Sequence, residues 1–464
     1  MSTVKFLQFG CWNNMNPSKD NNPDQVIKLV KQLTSADKTI EFIIVSGDNY
    51  YPKKKTISAT EKKKIIYKDN LIKGLNLLPN DTAIFMMLGN HDLETNMAFA
   101  SDESQEPETE NVCKIIQLEL DTLELEKPNV TYSFFESKLI NKTLILMLDT
   151  SIYEKDIDVE LKYLSCYKVF FTNKGINETN AASIQALRDY QFGLINEALT
   201  ANQDKDIKHV ILVGHHPIYL FKFKEESKKN KEPTDVAGAD VADADVADDD
   251  YDDDDDDDDY DSTSPGVKEG RTTKLDTPSD ETAEPELKPK PTLRTDIAKN
   301  FVPVLKSINE LLKGNSVTYN YLCSDLHLYQ KGIVKINSEM TIQQYIVGSG
   351  GTKLDKELKP GDVDPVTQMY NDDSYTFQEG QHKHGVLECS IDNESDKEPV
   401  FEFKSTDLIP SLGGKSIKKY NKKSKKKYNK KSKKKYTKKY SKKYNKKSKK
   451  KYTKKYNKKS KKKF

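Results

Sequence analysis

The sequence has little of what membrane-spanning and secreted proteins need. Only one of its 464 residues is Trp and only five are Cys. No stretch approaches the roughly 18 consecutive apolar residues of a membrane helix, so no transmembrane segment is predicted. The apolar run near the N-terminus is too short for a signal peptide. The Cys residues are odd in number and widely spaced, so we expect a reducing, intracellular location (cytoplasm, nucleus or, for a viral protein, the virion) and no disulfide framework.

One segment of the chain has no acidic residue, and another has no basic residue. The net charge of +2 hides this, because residues 411–464 contain 29 Lys and no acidic residue, while residues 232–261 contain 17 acidic residues and no basic one. Without these two segments, the remaining 380 residues carry a net charge of −10. The chain is therefore an acidic body, large enough to bury a core without disulfides or metals, that carries an acidic insert and a basic tail.

These shifts in composition divide the chain. We predict one folded domain in two parts, residues 1–225 and 296–410, separated by a disordered acidic insert at 226–295 and followed by a disordered Lys/Tyr-rich tail at 411–464. The insert has too few apolar side chains to order itself. In the tail, whose repeat reads Tyr-Asn-Lys-Lys-Ser-Lys-Lys-Lys, repulsion between lysines opposes a helix.

Several interpretations of the two charged segments stay open. The tail is a compositional expansion, or it folds back on the insert, or it binds a nucleic acid or another anionic surface. In the last case its lysines neutralise phosphates and its tyrosines stack on unpaired bases. The insert is either a solvated loop or a polyanion that competes with phosphate for a binding site or repels anionic substrates. The oligomeric state is not predicted.

Short apolar runs alternate with amphipathic segments in the body. The runs, bounded by polar or turn residues, are typical of buried strands: Val4–Phe9, Ile40–Val45, Ala83–Leu88, Leu144–Leu148, His209–Val213, Val317–Cys323, Ile342–Val347, Val386–Ile391 and Val400–Lys404. Helices are predicted at Asp24–Leu33, Ala182–Leu199 and Ile297–Leu312. We expect Asp296 to cap the last helix and Pro303 to kink or divide it. The alternation predicts an α/β (α+β) sandwich.

Polar side chains follow four of these runs directly. Val45 is followed by Ser-Gly-Asp-Asn-Tyr-Tyr, Leu88 by Gly-Asn-His-Asp, Val213 by Gly-His-His-Pro and Cys323 by Ser-Asp-Leu-His. Open α/β sheets bind ligands at the carboxyl ends of their strands. Carboxylate, amide, imidazole and phenol groups suit a pair of ions such as Fe, Mn or Zn. One such segment alone is more often a tight turn, but four in this order predict a metal site.

Together these motifs resemble those of the calcineurin-like metallophosphoesterases, and within them the purple acid phosphatases of the tartrate-resistant type. The resemblance covers about residues 3–225 and 295–405. The signal for the narrower family is Gly-Asp-Asn-x-Tyr, from Gly47 to Tyr51, because the wider superfamily usually lacks Tyr at that position. The resemblance implies a four-layer α-β-β-α sandwich with a dinuclear metal centre at one end of the sheets.

The resemblance also implies a role for each candidate residue. It implies two metal ions of uncertain identity, Fe, Zn or Mn. The ligands are Tyr51 and His327 for one ion and Asn90 and His215 for the other, with Asp48 bridging both. By the same resemblance, His91 lies beside the leaving group, where an imidazole can donate a proton, and Asp92 orients it.

Two positions depart from the family's pattern. Cys11 stands where the family carries an Asp after the first strand, and Asp325 stands where it carries the first His of Gly-His-x-His. Asp325 still lies on the same side of an extended segment as His327, and a carboxylate binds Zn, Mn or Fe. Cys11 is either a soft ligand that selects another metal or a small buried thiol that leaves the site one ligand short. His216 either has no functional role or contacts the substrate.

The function we expect is hydrolysis of a phosphomonoester by metal-bound hydroxide, in an enzyme of the acid phosphatase type. Two cations roughly 3.5–4 Å apart can hold the attacking and leaving oxygens of an in-line displacement. One alternative is a pseudoenzyme that binds partners through its charged insert and basic tail, and Cys11 and Asp325 favour it. Another is a nucleic-acid-binding protein that carries a phosphoesterase domain. Six unaltered positions favour the enzyme: Asp48, Tyr51, Asn90, His91, His215 and His327.

Overall fold

The computed structural model describes residues 3–14, 23–51, 71–93, 113–154, 161–223, 291–295, 297–312, 316–337, 339–356, 358–359, 361–363 and 367–409. The predicted tail and most of the predicted insert lie outside these residues. The end of the insert is an exception, because Pro291–Arg294 forms a strand. In the part of the chain that the structure describes, no helix is long and apolar enough to cross a membrane.

The described elements are strands, α-helices and short 3₁₀ helices, and after the last α-helix only strands and one 3₁₀ helix follow. The strands are β1 (Thr3–Phe9), β2 (Ile40–Ser46), β3 (Ala83–Met87), β4 (Val130–Tyr132), β5 (Phe135–Ile140), β6 (Thr143–Leu148), β7 (His209–Val213), β8 (Leu220–Phe223), β9 (Pro291–Arg294), β10 (Thr318–Cys323), β11 (Tyr329–Ile336), β12 (Met340–Val347), β13 (Thr367–Tyr370), β14 (Asp373–Gln381), β15 (Gly385–Asp392) and β16 (Val400–Ser405). The α-helices are α1 (Pro23–Ala36), α2 (Asn90–Leu93), α3 (Lys114–Glu126), α4 (Leu161–Asn173), α5 (Ile184–Ala201) and α6 (Ala298–Leu311). Short 3₁₀ helices lie at Ser151–Tyr153, Glu178–Ala181 and Thr406–Leu408.

The strands form two large sheets and one hairpin. One sheet has the order β16-β15-β1-β2-β3-β4, the other β13-β14-β11-β12-β10-β7-β6-β5, and β8 pairs with β9. The strands β1, β2, β3 and β4 are parallel to one another, and so are β6, β7, β10 and β12. At the borders of these sets, β1 pairs antiparallel with β15, β6 with β5 and β12 with β11. The carboxyl ends of each parallel set therefore meet at one edge of its sheet.

Alternate residues of the central strands pack on opposite faces of their sheets. In β2, Phe42 and Ile44 join a core cluster that contains side chains of both sheets, whereas Ile43 and Val45 join the cluster that contains the helices. In β7, Ile211 likewise belongs to the first cluster and Leu212 to the second. This period of two shows that each sheet is buried on both faces, as in a four-layer α-β-β-α sandwich.

Aromatic contacts confirm that the two sheets face each other. Tyr329 of the larger sheet stacks on Phe403 of the smaller one, with ring centroids 4.3 Å apart. Tyr345 and Phe401 make a second such pair at 4.7 Å. These pairs cross the layer between the sheets, so the fold class predicted from the sequence is confirmed.

Each predicted helix and strand has an observed counterpart, with differences at the helix ends, whereas α3 and α4 were not predicted. The helix predicted at Ile297–Leu312 is observed as α6, which continues through Pro303 instead of being divided there. Its first residues receive no side-chain cap from Ile297, and Asp296 lies outside the described residues. Burial of Phe301, Leu305 and Ile308 against the core stabilises α6 in spite of the proline, because packing outweighs local propensity.

One prediction from the cysteines is wrong. Cys113 and Cys166 form a disulfide, although 53 positions separate them in the sequence. Cys113 immediately precedes α3 and Cys166 lies within α4, and these two helices pack against each other. The spacing in the sequence hides this proximity, which arises only in the folded chain. The expectation of a reducing compartment therefore loses its basis, since disulfides are typical of oxidising ones.

Candidate metal centre

The ends of the parallel strands from both sheets are joined by hydrogen bonds. The His215 ring donates from Nδ1 to the carbonyl oxygen of Ser46, 2.8 Å away, and so ties the end of β7 to the end of β2. Ser46 and Ser324 bond through their hydroxyl groups. Gln8, within β1, donates to Ser46 Oγ at 2.6 Å. The four predicted motifs therefore meet at one end of the sandwich.

The backbone at this end adopts conformations that most residues avoid. Cys11, Asp48 and Asp325, three of the predicted ligands, all have φ between 51° and 55°. Such left-handed conformations in non-glycine residues are uncommon and cluster at functional sites. Gly47 also has a positive φ of 85°, and a Cβ there would lie 2.6 Å from His215 Nδ1. Only glycine therefore allows this loop to approach the imidazole so closely.

Asp48 lies at the centre of the candidate ligands and is almost completely buried. Its Oδ1 atom is 3.3 Å from Nε2 of His215 and accepts a hydrogen bond from the backbone N–H of His91 at 3.1 Å. Its Oδ2 atom accepts a hydrogen bond from the Tyr51 hydroxyl at 2.6 Å and lies 3.8 Å from Cys11 Sγ. The two carboxylate oxygens thus face two different sets of side chains.

The first set comprises Cys11, Tyr51 and His327, on the Oδ2 side of Asp48. The hydroxyl of Tyr51 lies 3.4 Å from Nε2 of His327. The backbone N–H of His327 donates to Asp355 Oδ2 at 2.7 Å, which holds the end of the last motif in place. Cys11 is buried, and its ligand atom lies within 4.8 Å of those of Asp48 and His215.

The second set comprises Asn90, His215 and Asp325, on the Oδ1 side. Asn90 Oδ1 lies 3.1 Å from Nε2 of His215, and Asp325 Oδ1 lies 3.8 Å from the same nitrogen. His215 is completely buried, whereas Asn90 and Asp325 are partly exposed to solvent. The structure therefore brings together all seven predicted ligands, with a buried floor and a solvent-accessible rim.

The two predicted catalytic residues occupy different environments. His91 is partly exposed, and its ring lies 4.8 Å from the ring of Tyr51, at the rim of the site. Asp92 is buried and accepts hydrogen bonds from the backbone N–H groups of Asp48, Asn49 and Gly89. These contacts show that Asp92 joins two motif loops, whereas the role predicted for it in orienting His91 stays a prediction.

Charges at the site are strongly coupled. Burial opposes ionisation of Asp48, but the imidazoles of His215 and His91 outweigh it and hold the pKa of the carboxyl well below its usual range. Burial lowers the pKa of His215, yet the carboxylate of Asp48 outweighs this effect and raises that pKa to about 9. Burial, followed by the charge of Asp48, raises the pKa of both the Cys11 thiol and the Tyr51 phenol. Without a metal ion, the thiol and the phenol are therefore protonated. A bound cation would instead favour their deprotonated forms.

Sequence reasoning missed the segment from Asp149 to Glu154, which supports the Gly-His-His-Pro motif. The hydroxyl oxygen of Thr150 accepts hydrogen bonds from the backbone N–H groups of both His215 and His216, at 2.9 and 3.0 Å. Glu154 Oε1 lies 2.8 Å from Nε2 of His216. No sequence signal identified Glu154, because it follows a short 3₁₀ helix and belongs to no motif.

The donor set fits transition-metal ions. Two overlapping groups have ligand atoms within 4.8 Å of one another: Cys11, Asp48 and His215, and His215, His216 and Asp325. Imidazole and carboxylate groups at such spacing suit Zn, Mn or Fe. A thiolate from Cys11 would favour Zn over ferric iron on its side of Asp48.

Comparison with known proteins places these residues in a family context. Residues 4–247, more than half of the chain, match the family model described as calcineurin-like phosphoesterase. No curated protein matches the chain.

Among solved structures, the chain is similar to GAP50, described as the anchor in the inner membrane complex of Plasmodium. The identity is 12% and the TM-score 0.39, over 88% of this chain and 85% of that one. It is also similar to the purple acid phosphatase PPD1 from yellow lupin (Lupinus luteus) seeds, with 9% identity and a TM-score of 0.42, over 88% of this chain and 52% of that one. The chain thus spans about half the length of the lupin enzyme.

The buried carboxyl of Asp149 should make the free energy of unfolding depend on pH. It is completely buried, and burial outweighs its hydrogen bonds to raise its pKa from 3.8 to about 6. The folded state therefore holds this proton more tightly than the unfolded state does. The resulting contribution to the free energy of unfolding is fully present below pH 3.8 and is lost as pH rises through about 6. Over this range we expect the free energy of unfolding of the wild type to fall by at most about 3 kcal/mol relative to that of Asp149→Asn.

Urea unfolding of wild type and Asp149→Asn between pH 3.5 and 8 measures this difference. The exposed Asp204→Asn change is the matched control, for which we expect a profile parallel to that of wild type. Parallel profiles for Asp149→Asn and wild type would contradict the prediction.

Proposed function

The chain belongs to the calcineurin-like phosphoesterase family, and from this premise we propose that it hydrolyses phosphomonoesters at a dinuclear metal centre, as an acid phosphatase of the purple type. The observation that carries the proposal is the position of Asp48. Its two carboxylate oxygens face two separate donor sets, which is the arrangement that a bridging ligand requires. Tyr51, on one side, supports the purple type because its hydroxyl already contacts Asp48 at 2.6 Å.

The proposal assigns a task to each group of side chains. Cys11, Tyr51 and His327 would hold one ion, Asn90, His215 and Asp325 would hold the other, and Asp48 would contribute one oxygen to each side. The bound ions supply Lewis acidity and an activated water molecule. The partly exposed ring of His91 binds the phosphate or donates a proton from its imidazole to the departing oxygen. Asp92 keeps the loops that carry Asp48 and Asn90 in register.

The alternative function is that of a pseudoenzyme that binds partners through its charged segments. Cys11 and Asp325 are the observations that favour it, since both replace residues of the family's pattern. Against it, both side chains lie among the candidate ligands, with Cys11 Sγ 3.8 Å from Asp48 and Asp325 Oδ1 3.8 Å from His215. The two functions differ in a measurable way, because only the enzyme turns over substrate.

The first prediction tests the function itself. We expect the full-length chain, purified without chelator, to contain up to two transition-metal ions and to hydrolyse an aryl phosphate. Asp48→Asn should lose metal and reduce hydrolysis by at least two orders of magnitude, since it removes the charge that faces both donor sets. Elemental analysis and a phosphate-release assay measure the two effects. Asp24→Asn, at an exposed position of α1, is the control.

Two results would contradict the proposal. A chain that stays free of metal after incubation with Zn, Mn and Fe has no such centre. A chain that binds two ions but hydrolyses no phosphomonoester supports the pseudoenzyme.

The second prediction concerns His91. If its imidazole protonates the leaving group, His91→Ala should slow hydrolysis of an alkyl phosphate by roughly 10²-fold or more. The loss should be smaller for a nitrophenyl ester, whose leaving group needs no proton. Steady-state kinetics with both substrates measure the ratio, and the exposed His382→Ala change is the control. Equal losses on both substrates would assign His91 to phosphate binding instead of proton donation.

The third prediction concerns the basic tail, which lies outside the described residues. Its 29 lysines support an anionic partner such as nucleic acid. Deleting residues 415–464 should abolish salt-sensitive binding to single-stranded DNA and leave hydrolysis unchanged. Fluorescence anisotropy at two salt concentrations measures binding. Equal binding by the full-length and truncated chains would show that the tail has no such partner. A second deletion, of residues 232–284, tests whether the acidic insert competes with nucleic acid for the tail.

A further inference from the structure

The β8–β9 hairpin brings basic side chains to the edge of the candidate metal centre. β8 begins shortly after the Gly-His-His-Pro motif, and β9 pairs with it in antiparallel register. Arg294 lies opposite Leu220, and Thr292 lies opposite Lys222. Directly paired residues of antiparallel strands share a face, and so do alternate residues of one strand. Lys222 and Arg294 therefore lie on the same face of the hairpin.

An ion pair connects this face to the last motif of the site. Lys222 Nζ lies 3.3 Å from Oδ1 of Asp355. The other oxygen of that carboxylate accepts a hydrogen bond from the backbone N–H of His327 at 2.7 Å. The backbone N–H of Asp355 in turn donates to the carbonyl oxygen of His327 at 3.0 Å. Lys222 is therefore one carboxylate away from a candidate ligand, without belonging to the donor set itself.

The charge of Arg294 reaches the other side of the site. Burial opposes ionisation of the Asp325 carboxyl, but the imidazoles of His216 and His215 outweigh it and lower its pKa. The guanidinium of Arg294 lowers this pKa further. Because Asp325 is partly exposed at the rim, the positive charge of the hairpin acts where a substrate enters.

A third basic side chain extends this edge towards solvent. Lys356 is exposed, and its Nζ atom lies 4.2 Å from the centroid of the Phe223 ring in β8. Basic side chains gather here although the body of the chain is acidic, so the local potential favours an anion at this edge. The proposed function places the scissile phosphate between the metal ions and His91. The hairpin lies outside that set and therefore suits an anionic group elsewhere on the substrate.

We propose that the β8–β9 hairpin binds a second phosphate of the substrate, with Arg294 and Lys222 as the specificity-determining residues. The preferred substrates are then phosphomonoesters that carry another phosphate away from the scissile bond. Arginine binds phosphate oxygens through two parallel N–H groups, and lysine adds a point charge. This inference rests on the proposed phosphatase function and names its substrate class.

The experiment compares matched substrates with one and with two phosphates. Propyl phosphate is paired with propanediol bisphosphate, and hexyl phosphate with hexanediol bisphosphate, so that two spacings between the phosphates are covered. Steady-state kinetics of the full-length, metal-loaded chain give kcat/KM for each compound. Titration calorimetry with the corresponding phosphonates, which are not hydrolysed, measures binding separately from turnover.

The test variants are Arg294→Gln and Lys222→Gln, which remove a charge and keep a polar side chain. Lys142→Gln is the matched control, because this lysine is also partly buried and paired with carboxylates, those of Asp206 and Asp396. It immediately precedes β6, at the end of that strand remote from the site. If Lys222→Gln does not fold, as judged by circular dichroism, Arg294→Gln gives the same test.

We expect the wild type to prefer at least one bisphosphate over its monophosphate by at least about tenfold in kcat/KM, because charge-assisted hydrogen bonds are strong. The preference should fall as salt increases, since these side chains are partly exposed and salt screens their charges. Each test variant should lose most of it, and Lys142→Gln should keep it. A displaced His327 would lower kcat/KM for both members of a pair equally, so the ratio isolates the second phosphate.

Equal kcat/KM and equal affinity for both members of each pair in the wild type would overturn the inference. An unchanged preference in the folded test variants would do the same. A preference that appears only after deletion of residues 232–284 would assign the hairpin to the acidic insert, which joins β8 to β9, and not to the substrate. Failure of the proposed function gives a different result, because a wild type that hydrolyses no member of either pair contradicts the phosphatase and this inference with it.

Discussion

The structure of the site depends on the burial of one carboxylate. Asp48 is 1% exposed, and a buried charge is costly unless other groups neutralise it and satisfy its hydrogen bonds. Here His215 and Tyr51 contact its two oxygens, and the backbone of His91 donates a further hydrogen bond. These contacts come from both sheets, so the sandwich must close correctly at this end before the charge is satisfied. The left-handed backbone at Asp48 and the glycine before it are local consequences of that requirement.

The same arrangement accounts for the two departures from the family's pattern. Cys11 adds a protonated thiol beside Asp48, where a second fixed negative charge would increase repulsion in the absence of a cation. On the other side, Asp325 adds a carboxylate, and the imidazoles of His216 and His215 outweigh its burial and lower its pKa. The substitutions thus move negative charge from one side of Asp48 to the other. A softer site near Cys11 and a harder site near Asp325 would then favour different ions.

Much of this architecture could be predicted from the sequence. The strands that carry the four motifs are continuous apolar runs, because they are buried on both faces, and each run ends at a glycine or serine that begins the ligand loop. The seven candidate ligands converge for that reason. The strands that were not predicted are β4, β5, β8, β9, β11, β13 and β14. Three of them, β4, β8 and β9, are short, and the other four contain polar or partly exposed residues. Without a continuous apolar run, these strands leave no clear pattern of hydrophobicity in the sequence.

The sequence by itself determined the α/β class and the four loops, since these follow from hydrophobic periodicity and from motifs that are contiguous in the chain. The layer order and the candidate ligands followed from the resemblance of those motifs to a known family. Tertiary structure alone decided three further features. The Cys113–Cys166 disulfide joins helices that meet only after folding. Asp92 joins its own loop to that of Asp48, because its oxygens accept hydrogen bonds from the backbone N–H groups of Asp48 and Asn49. Glu154 reaches His216 across 62 positions because Thr150 anchors its segment to the end of β7. In each case the deciding contact is between residues far apart in the chain, and no local pattern encodes it.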